Sequence, residues 1–494
     1  MPKFKKNLFF LLILLILVYG VFLRFNKIGE QSYWIDEGYT LNAVLSTLEK
    51  GYPLLDSNQT YNAAPLNTYL IAGAVKLGGF NPIATRSVAV LFGLGVIFLV
   101  YLIGKKFFNS LVGLGAAFLT TFSYWEIAWS RQARMYIQLQ FFFLLSLYLF
   151  NSLLTKFSYK KLAWLILATI ATILSHYFGW FLLVIYALNL LIILIYNHKK
   201  SLNTLWTKKQ KLIFSLIALV FIAFLIKLGF DLNNQLARSD VFLGLNYQSF
   251  MLNYWPLIFI GAIIGMILAI QKEKQLRTSL LLISAYFIPY LIIIFSASTQ
   301  HFRYLFFILP LLFIFSSYLL EQVADISKKR KLIVFPILIL ATILISMAIT
   351  PRSFSFLPTA YYRLEPFTPQ PDFKSAYESI KANGWSEDKV IVSPFTQLDK
   401  VYLGRSGYWL AISLAGRKLD KSKLTEREYY NNAITISSAD QLAKIINAKQ
   451  GYIITDDMAL SNRLDKEIID LIGQQRLIFS DEKEIGNRIW VFTF

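Results

Sequence analysis

KKNLFFLLILLILVYGVFLRFNKIGEQSYWIDEGYT, residues 5–40, holds the two features from which the rest of the chain is read. An apolar run, Leu8 to Leu23, follows Lys3, Lys5 and Lys6, and Trp34-Ile35-Asp36-Glu37 comes shortly after it. The run has no small-x-small cleavage site; Val18-Tyr19-Gly20 is followed by bulky Val21-Phe22-Leu23, so it reads as a retained first membrane helix. Residues 1–350 contain eleven Asp or Glu, and five of them (Glu30, Asp36, Glu37, Glu49, Asp56) fall between the first two spans. Charge beside a bilayer is expensive, which makes an ionisable cluster there a sign of function. A solvated loop accounts for Glu49 and Asp56; Asp36-Glu37, flanked by Trp34 and Tyr39, are read as functional.

The 494 residues are 56% hydrophobic, with a mean hydropathy of +0.51. A soluble domain is nearer 45–50% apolar. Eleven runs suit a hydrocarbon core of roughly 30 Å: 8–25, 84–103, 110–128, 135–154, 162–175, 177–196, 212–230, 252–270, 278–297, 302–320 and 332–350. The fold class is therefore an all-α polytopic membrane domain with a small C-terminal α/β domain. The net charge of +20 does not indicate nucleic acid, because residues 351–494 are nearly neutral, with 19 basic and 18 acidic residues. The excess sits in short loops, as topology signals do. With the N-terminus inside, Lys3/5/6, Lys105/106, Lys156/160/161, Lys199/200/208/209/211, Lys272/274 with Arg277, and Lys328/329, Arg330 and Lys331 share one side. The 26–83 loop, Arg131, Arg134, His176, Arg238, His301, Arg303 and the C-terminal tail then lie outside. There is no Cys, hence no disulfide and no thiolate metal site.

Three domains are expected: 1–350 in the membrane, a proline-marked linker over 351–371, and an extracytoplasmic α/β domain over 372–494. In the 26–83 loop, Leu41–Lys50 has helical spacing, and Ala64-Pro65-Leu66 opens a stretch to Leu77 that is too short to span; both read as surface helices. In the tail, Asp372–Ala382, Ser438–Asn447 and Leu460–Ile472 read as helices. Val390–Val392, Gly451–Thr455 and Ile489–Phe494 read as strands.

Cations gather on the outer side. Arg131 and Arg134, three apart, share a helix face if the fourth span starts there, and Arg side chains at a helix N-terminus suit an anion. Snorkelling toward lipid phosphates is the alternative. Arg86 begins the second span and His301-Phe302-Arg303-Tyr304 the tenth. Cations beside one acid pair suit a phosphate-bearing lipid, with the carboxylate handling a proton. His176, in Ser175-His176-Tyr177, reads first as a hydrogen-bonded structural residue; with three His in the chain a His-rich zinc site is excluded, while a mixed carboxylate–His site stays open. No P-loop, GxGxxG or HExxH is present, and Asp456-Asp457 reads as a loop.

These motifs together resemble the GT-C membrane glycosyltransferases, in particular family 39 with its protein O-mannosyltransferases and lipid A aminoarabinose transferases. Trp34-Ile35-Asp36-Glu37-Gly38, Ala64-Pro65-Leu66, Asn81-Pro82 to Arg86, Ser130-Arg131-x-Ala133-Arg134-x-Tyr136, Ser175-His176-Tyr177 and His301-x-Arg303-Tyr304 run in the family's order. The resemblance covers about residues 8–325. It implies transfer of a sugar from a polyprenyl-phosphate donor to a lipid, glycan or protein acceptor on the outer face, with inversion. By that resemblance Asp36 is the general base and Glu37 assists it or, with Asp36, holds a divalent metal (Mg, Mn or Zn). Arg86, Arg131, Arg134 and Arg303 bind the donor phosphate, with Tyr136, His176, His301 and Tyr304 in support. A bacterial plasma membrane is the expected location. The tail departs from the eukaryotic protein mannosyltransferases and is more like the variable outer domains of bacterial relatives. Three other readings are weighed. An O-antigen ligase or polymerase carries Arg/His chemistry in a large late loop rather than an early acid pair. A lipid-linked-sugar flippase needs charge and broken helices at mid-membrane; a membrane scaffold needs no acid pair.

Overall fold

The computed structural model describes residues 3–199, 245–296, 301–363, 371–412, 420–481 and 488–494. The expected span 212–230 and Arg238 lie outside them. The chain divides into two compact units: residues 1–26, 89–131 and 135–358 form the first, and 27–88, 132–134 and 359–494 the second.

Apolar helices build the first unit. Among the described residues, six are long and apolar enough to cross a membrane: Asn7–Phe25, Pro82–Phe107, Tyr136–Thr155, Leu276–Ile294, Phe302–Ile326 and Lys328–Ile349. Ser110–Phe122, Tyr177–Ile193 and Pro256–Gln271 are shorter apolar helices. Among the described residues, two of the expected spans are interrupted. The expected span 110–128 breaks at Ser123 into α5 (Ser110–Phe122) and α6 (Tyr124–Ser130), and 252–270 breaks at Trp255 before Pro256. Pro at the first helical position lacks the N–H that a continuous helix would use. Helices α4 (Pro82–Phe107) and α5 meet where Gly104 faces Gly113; a Cβ on Gly104 would lie 2.7 Å from Gly113 Cα. Small residues of this kind let membrane helices approach closely.

The second unit is built on a six-stranded sheet of order β3-β2-β1-β4-β6-β5. Its strands are β1 (Val390–Ser393), β2 (Tyr408–Leu410), β3 (Ile434–Ile436), β4 (Gly451–Asp456), β5 (Arg476–Ser480) and β6 (Ile489–Thr493). The first four are parallel; β6 runs antiparallel between β4 and β5. Every residue of the central β4 is buried, as a parallel strand covered on both faces requires. Strands β2, β3 and β5 escape the sequence reading. The first two have three residues each, too few for a period to register. The expected helix Leu460–Ile472 is a π-helical turn, Ala459–Arg463, followed by Lys466–Gly473.

Both helices of the 26–83 loop belong to this unit: α2 (Ile35–Lys50) and α3 (Pro65–Gly78). The compact unit therefore joins the loop to the tail, where the sequence suggests a separate domain over 372–494. The join is specific. Gly38 approaches the helix Thr396–Leu403 so closely that a Cβ would lie 2.8 Å from Gln397 Cγ. Asn42 Nδ2 donates to Gln397 O (3.2 Å) and Asn431 Oδ1 (2.9 Å). Ser32 Oγ donates to Asp372 Oδ1 (2.8 Å), Tyr33 N to Tyr402 OH (2.9 Å), and Lys400 pairs with Asp56 (2.7 Å).

Candidate active site

The acid pair sits in the first turn of α2, where negative charge suits the helix dipole. Its two members have different surroundings. Glu37 is wholly buried: its Oε1 accepts from Arg86 Nε (2.9 Å) and Ala133 N (2.8 Å), its Oε2 from Arg86 Nη2 (2.8 Å) and Trp34 N (2.9 Å). Glu37 thereby reaches back to the backbone N–H of Trp34, the residue that opens α2. Arg86 is 1% exposed, and its remaining N–H groups donate to Ile28 O, Gln31 O and Ser32 O at 2.8–3.0 Å. A guanidinium has five N–H donors, and all five are used. The Tyr33 ring lies over Arg86 at 4.9 Å, and burial pushes the Tyr33 hydroxyl up to about 12 against the lowering pull of Arg86.

Asp36, one residue earlier, keeps 21% of its side chain exposed and lies 3.7 Å from Arg134 Nη2. Arg134 Nη1 donates to Asp36 O (2.9 Å), Thr40 Oγ1 (2.7 Å) and Tyr61 OH (3.1 Å). Burial, with the Asp36 charge second, raises the Tyr39 hydroxyl well above its ordinary value, so Tyr39 stays neutral beside the acid. Its ring meets Tyr430 at 4.4 Å between centroids.

This geometry corrects two expectations. Arg86 has no donor left for a donor phosphate; it is the counter-charge of a buried carboxylate. Glu37 has both oxygens filled by four donors, so a metal bridging Asp36 and Glu37 does not fit. Among the described residues no group of three or more His, Cys, Asp or Glu could hold one. Thr40 and Tyr61 join the site unforeseen. Thr40 had a signal, being four residues after Asp36 on the same helix face; Tyr61 had none.

The remaining expected residues lie in the first unit. Arg131 is buried, and its Nη1 donates to the last carbonyls of α1 (Lys3–Phe25) and just beyond: Leu23 O (3.3 Å), Arg24 O (3.0 Å) and Asn26 O (2.5 Å). A cation there complements the helix C-terminus. His176 Nδ1 accepts from Phe178 N (3.2 Å), capping the 3-10 turn Tyr177–Trp180. Tyr136 packs on Trp129 (4.7 Å) and His176 (5.8 Å). His301 directly precedes the 3-10 helix Phe302–Ile308, and its ring meets Tyr304 at 5.5 Å. Arg303 is half-buried, 6.0 Å from the Tyr304 ring. Buried charges that went unforeseen include Arg24 and Glu126. Arg24 Nε donates to Ser130 Oγ (3.1 Å), and Glu126 Oε1 accepts from Gln140 Nε2 (2.9 Å). An acid inside the apolar run 110–128 was the available signal for Glu126.

Comparison with solved structures identifies the class of fold as that of the GT-C membrane glycosyltransferases. Among individual proteins, the chain is similar to ArnT from Cupriavidus metallidurans in the apo state. The TM-score is 0.58 at 10% identity, covering 99% of this chain and 97% of that one. ArnT bound to undecaprenyl phosphate gives 0.57 at 11% identity, covering 99% and 98%. The oligosaccharyltransferase AglB from Archaeoglobus fulgidus, in complex with an inhibitory peptide and a dolichol-phosphate, gives 0.55 at 12% identity, covering 92% and 70%. A family model described as dolichyl-phosphate-mannose-protein mannosyltransferase matches residues 62–226. The curated proteins contain no match. The chain is an integral membrane protein.

Proposed function

We propose that this protein transfers a sugar from a polyprenyl-phosphate donor to a hydroxyl of a lipid, glycan or protein acceptor, on the extracytoplasmic face of a bacterial plasma membrane. The carrying observation is the division of labour in the acid pair: Glu37 is locked by Arg86, while Asp36 stays accessible beside Arg134. In the reaction the acceptor oxygen bonds to the anomeric carbon from the face opposite the phosphate. The bond from that carbon to the phosphate oxygen breaks, and polyprenyl phosphate leaves with the electron pair. Asp36 takes the acceptor proton late, as the phosphate departs. Arg134 holds Asp36 in place and is the proposed phosphate contact. Glu37 and Arg86 act as positioning residues that fix the first turn of α2.

The fold shared with ArnT bound to undecaprenyl phosphate, and with AglB holding a dolichol-phosphate, supports a lipid phosphate as donor. The test is release of polyprenyl phosphate by purified protein given a panel of polyprenyl-phosphate sugars and membrane extract as acceptor. Turnover that disappears in Asp36→Asn supports the proposal. Full turnover in a folded Asp36→Asn protein overturns the mechanism, and no turnover with any donor favours the flippase or scaffold.

A further inference from the structure

A groove on the first unit runs between α1, α5 and α14 (Lys331–Ile349). Its volume is about 530 Å³, and Leu8, Leu12, Leu15, Tyr19, Phe118 and Leu340 are among its almost wholly apolar walls. At the end nearest the start of α1 it opens into a second cavity of about 470 Å³; Phe9, Leu111 and Leu332 line both. The character of the walls changes there, to Lys328, Lys329, Lys331, Glu321, Asn109 and Ser110.

The charges at this mouth are unbalanced. Lys331 is taken by Glu321 and by Asp325 (2.7 Å). Lys328 and Lys329 are exposed and form no ion pair among the described residues, and Arg330 lies between them and Lys331. Three lysines thus line the mouth, and the two carboxylates near it are both engaged by one of them, Lys331. From Leu8 to Tyr19 the groove follows eleven helical steps, roughly 16 Å at 1.5 Å per residue. Half of a hydrocarbon core of about 30 Å is about 15 Å, so the groove is one leaflet deep. The lysine bias assigns that leaflet to the cytoplasmic side, and basic pockets between helices on that side take anionic headgroups.

We propose that this groove holds one anionic phospholipid of the cytoplasmic leaflet, its acyl chain along α1 and its phosphate at Lys328 and Lys329. The occupant is lipid rather than free phosphate because the apolar groove and the cationic mouth are continuous. Its depth suits a one-leaflet chain rather than a long polyprenol. The site is independent of the acid pair and of the reaction proposed for it.

The test is native mass spectrometry on the full chain released from detergent. Phosphatidylglycerol and phosphatidylcholine with the same chains are offered together. Retention of phosphatidylglycerol about tenfold or more over phosphatidylcholine is expected, the scale of one to two lysine contacts. The exposed-site double variant Lys328→Gln/Lys329→Gln should lose that preference while its thermal unfolding matches the parent. Leu340→Trp, which fills the groove, should lower retention of both lipids. Equal retention by the parent, or a preference that survives the lysine double variant, overturns the proposal. So does inorganic phosphate displacing phosphatidylglycerol at equal concentration, or polyprenyl phosphate displacing it through the same lysines. If Leu340→Trp does not fold, the lysine variant decides alone.

Discussion

Replacing Asp36 by Asn changes its charge and little of its shape, so the loss it causes should be chemical. Transfer is expected to fall by about 10²–10⁴, the usual contribution of a positioned base, with thermal unfolding unchanged. Glu37→Gln should behave in the opposite way. It leaves the buried Arg86 guanidinium without its counter-charge, a change that costs about 3–5 kcal/mol. Thermal unfolding in detergent reads this directly. A Glu37→Gln protein as stable as its parent would show that the clasp with Arg86 is not what fixes α2. The sequence makes the pair visible and leaves its two members alike. Only the positions of Arg86 and Ala133, 49 and 96 residues further along, separate the accessible carboxylate from the locked one.

At the scale of elements, the contact between α2 and the helix Thr396–Leu403 carries two expectations. Gly38→Leu must push α2 away from Gln397 and Leu398 of that helix. It should lower the unfolding temperature and take transfer activity with it, although residue 38 touches no reacting group. The same helix holds a pH dependence. Asp399 is fully buried and accepts from Tyr377 OH (2.6 Å); burial raises its carboxyl to about 7. The ordinary value is near 4, so between about pH 4 and 7 the folded state keeps a proton that the unfolded state has lost. Stability is therefore full below that window and falls as pH rises through it, by at most about 1.4 kcal/mol per pH unit. Burial shifts Glu428 in the same direction. Unfolding temperatures from pH 5 to pH 8 should decline in the parent, and the slope should shrink in Asp399→Asn. The long periodic helices were legible because their apolar faces repeat. The three-residue strands were not, being too short for a period to register, and neither was the docking of α2 on the tail, whose partners lie hundreds of residues away.

For the whole molecule, the absence of cysteine gives a clean background for labelling. A single cysteine at Glu467 in the tail should react with an impermeant maleimide in intact cells. One at Lys105 should react only after permeabilisation. The reverse pattern would overturn the orientation read from the lysine bias. That bias was legible because it depends on loop composition alone; the breaks at Ser123 and Trp255 were not, because hydropathy averages across them. Helix α2 also has a history in biosynthesis. It leaves the ribosome about 360 residues ahead of Thr396–Leu403, the helix it packs against. At roughly 5–20 residues per second, it waits about 20–70 s beyond the translocation channel with Gly38 and Asn42 unpartnered. Growing chains stalled within the tail should therefore engage envelope chaperones and proteases through the 26–83 loop, and be released from them only once the tail is complete.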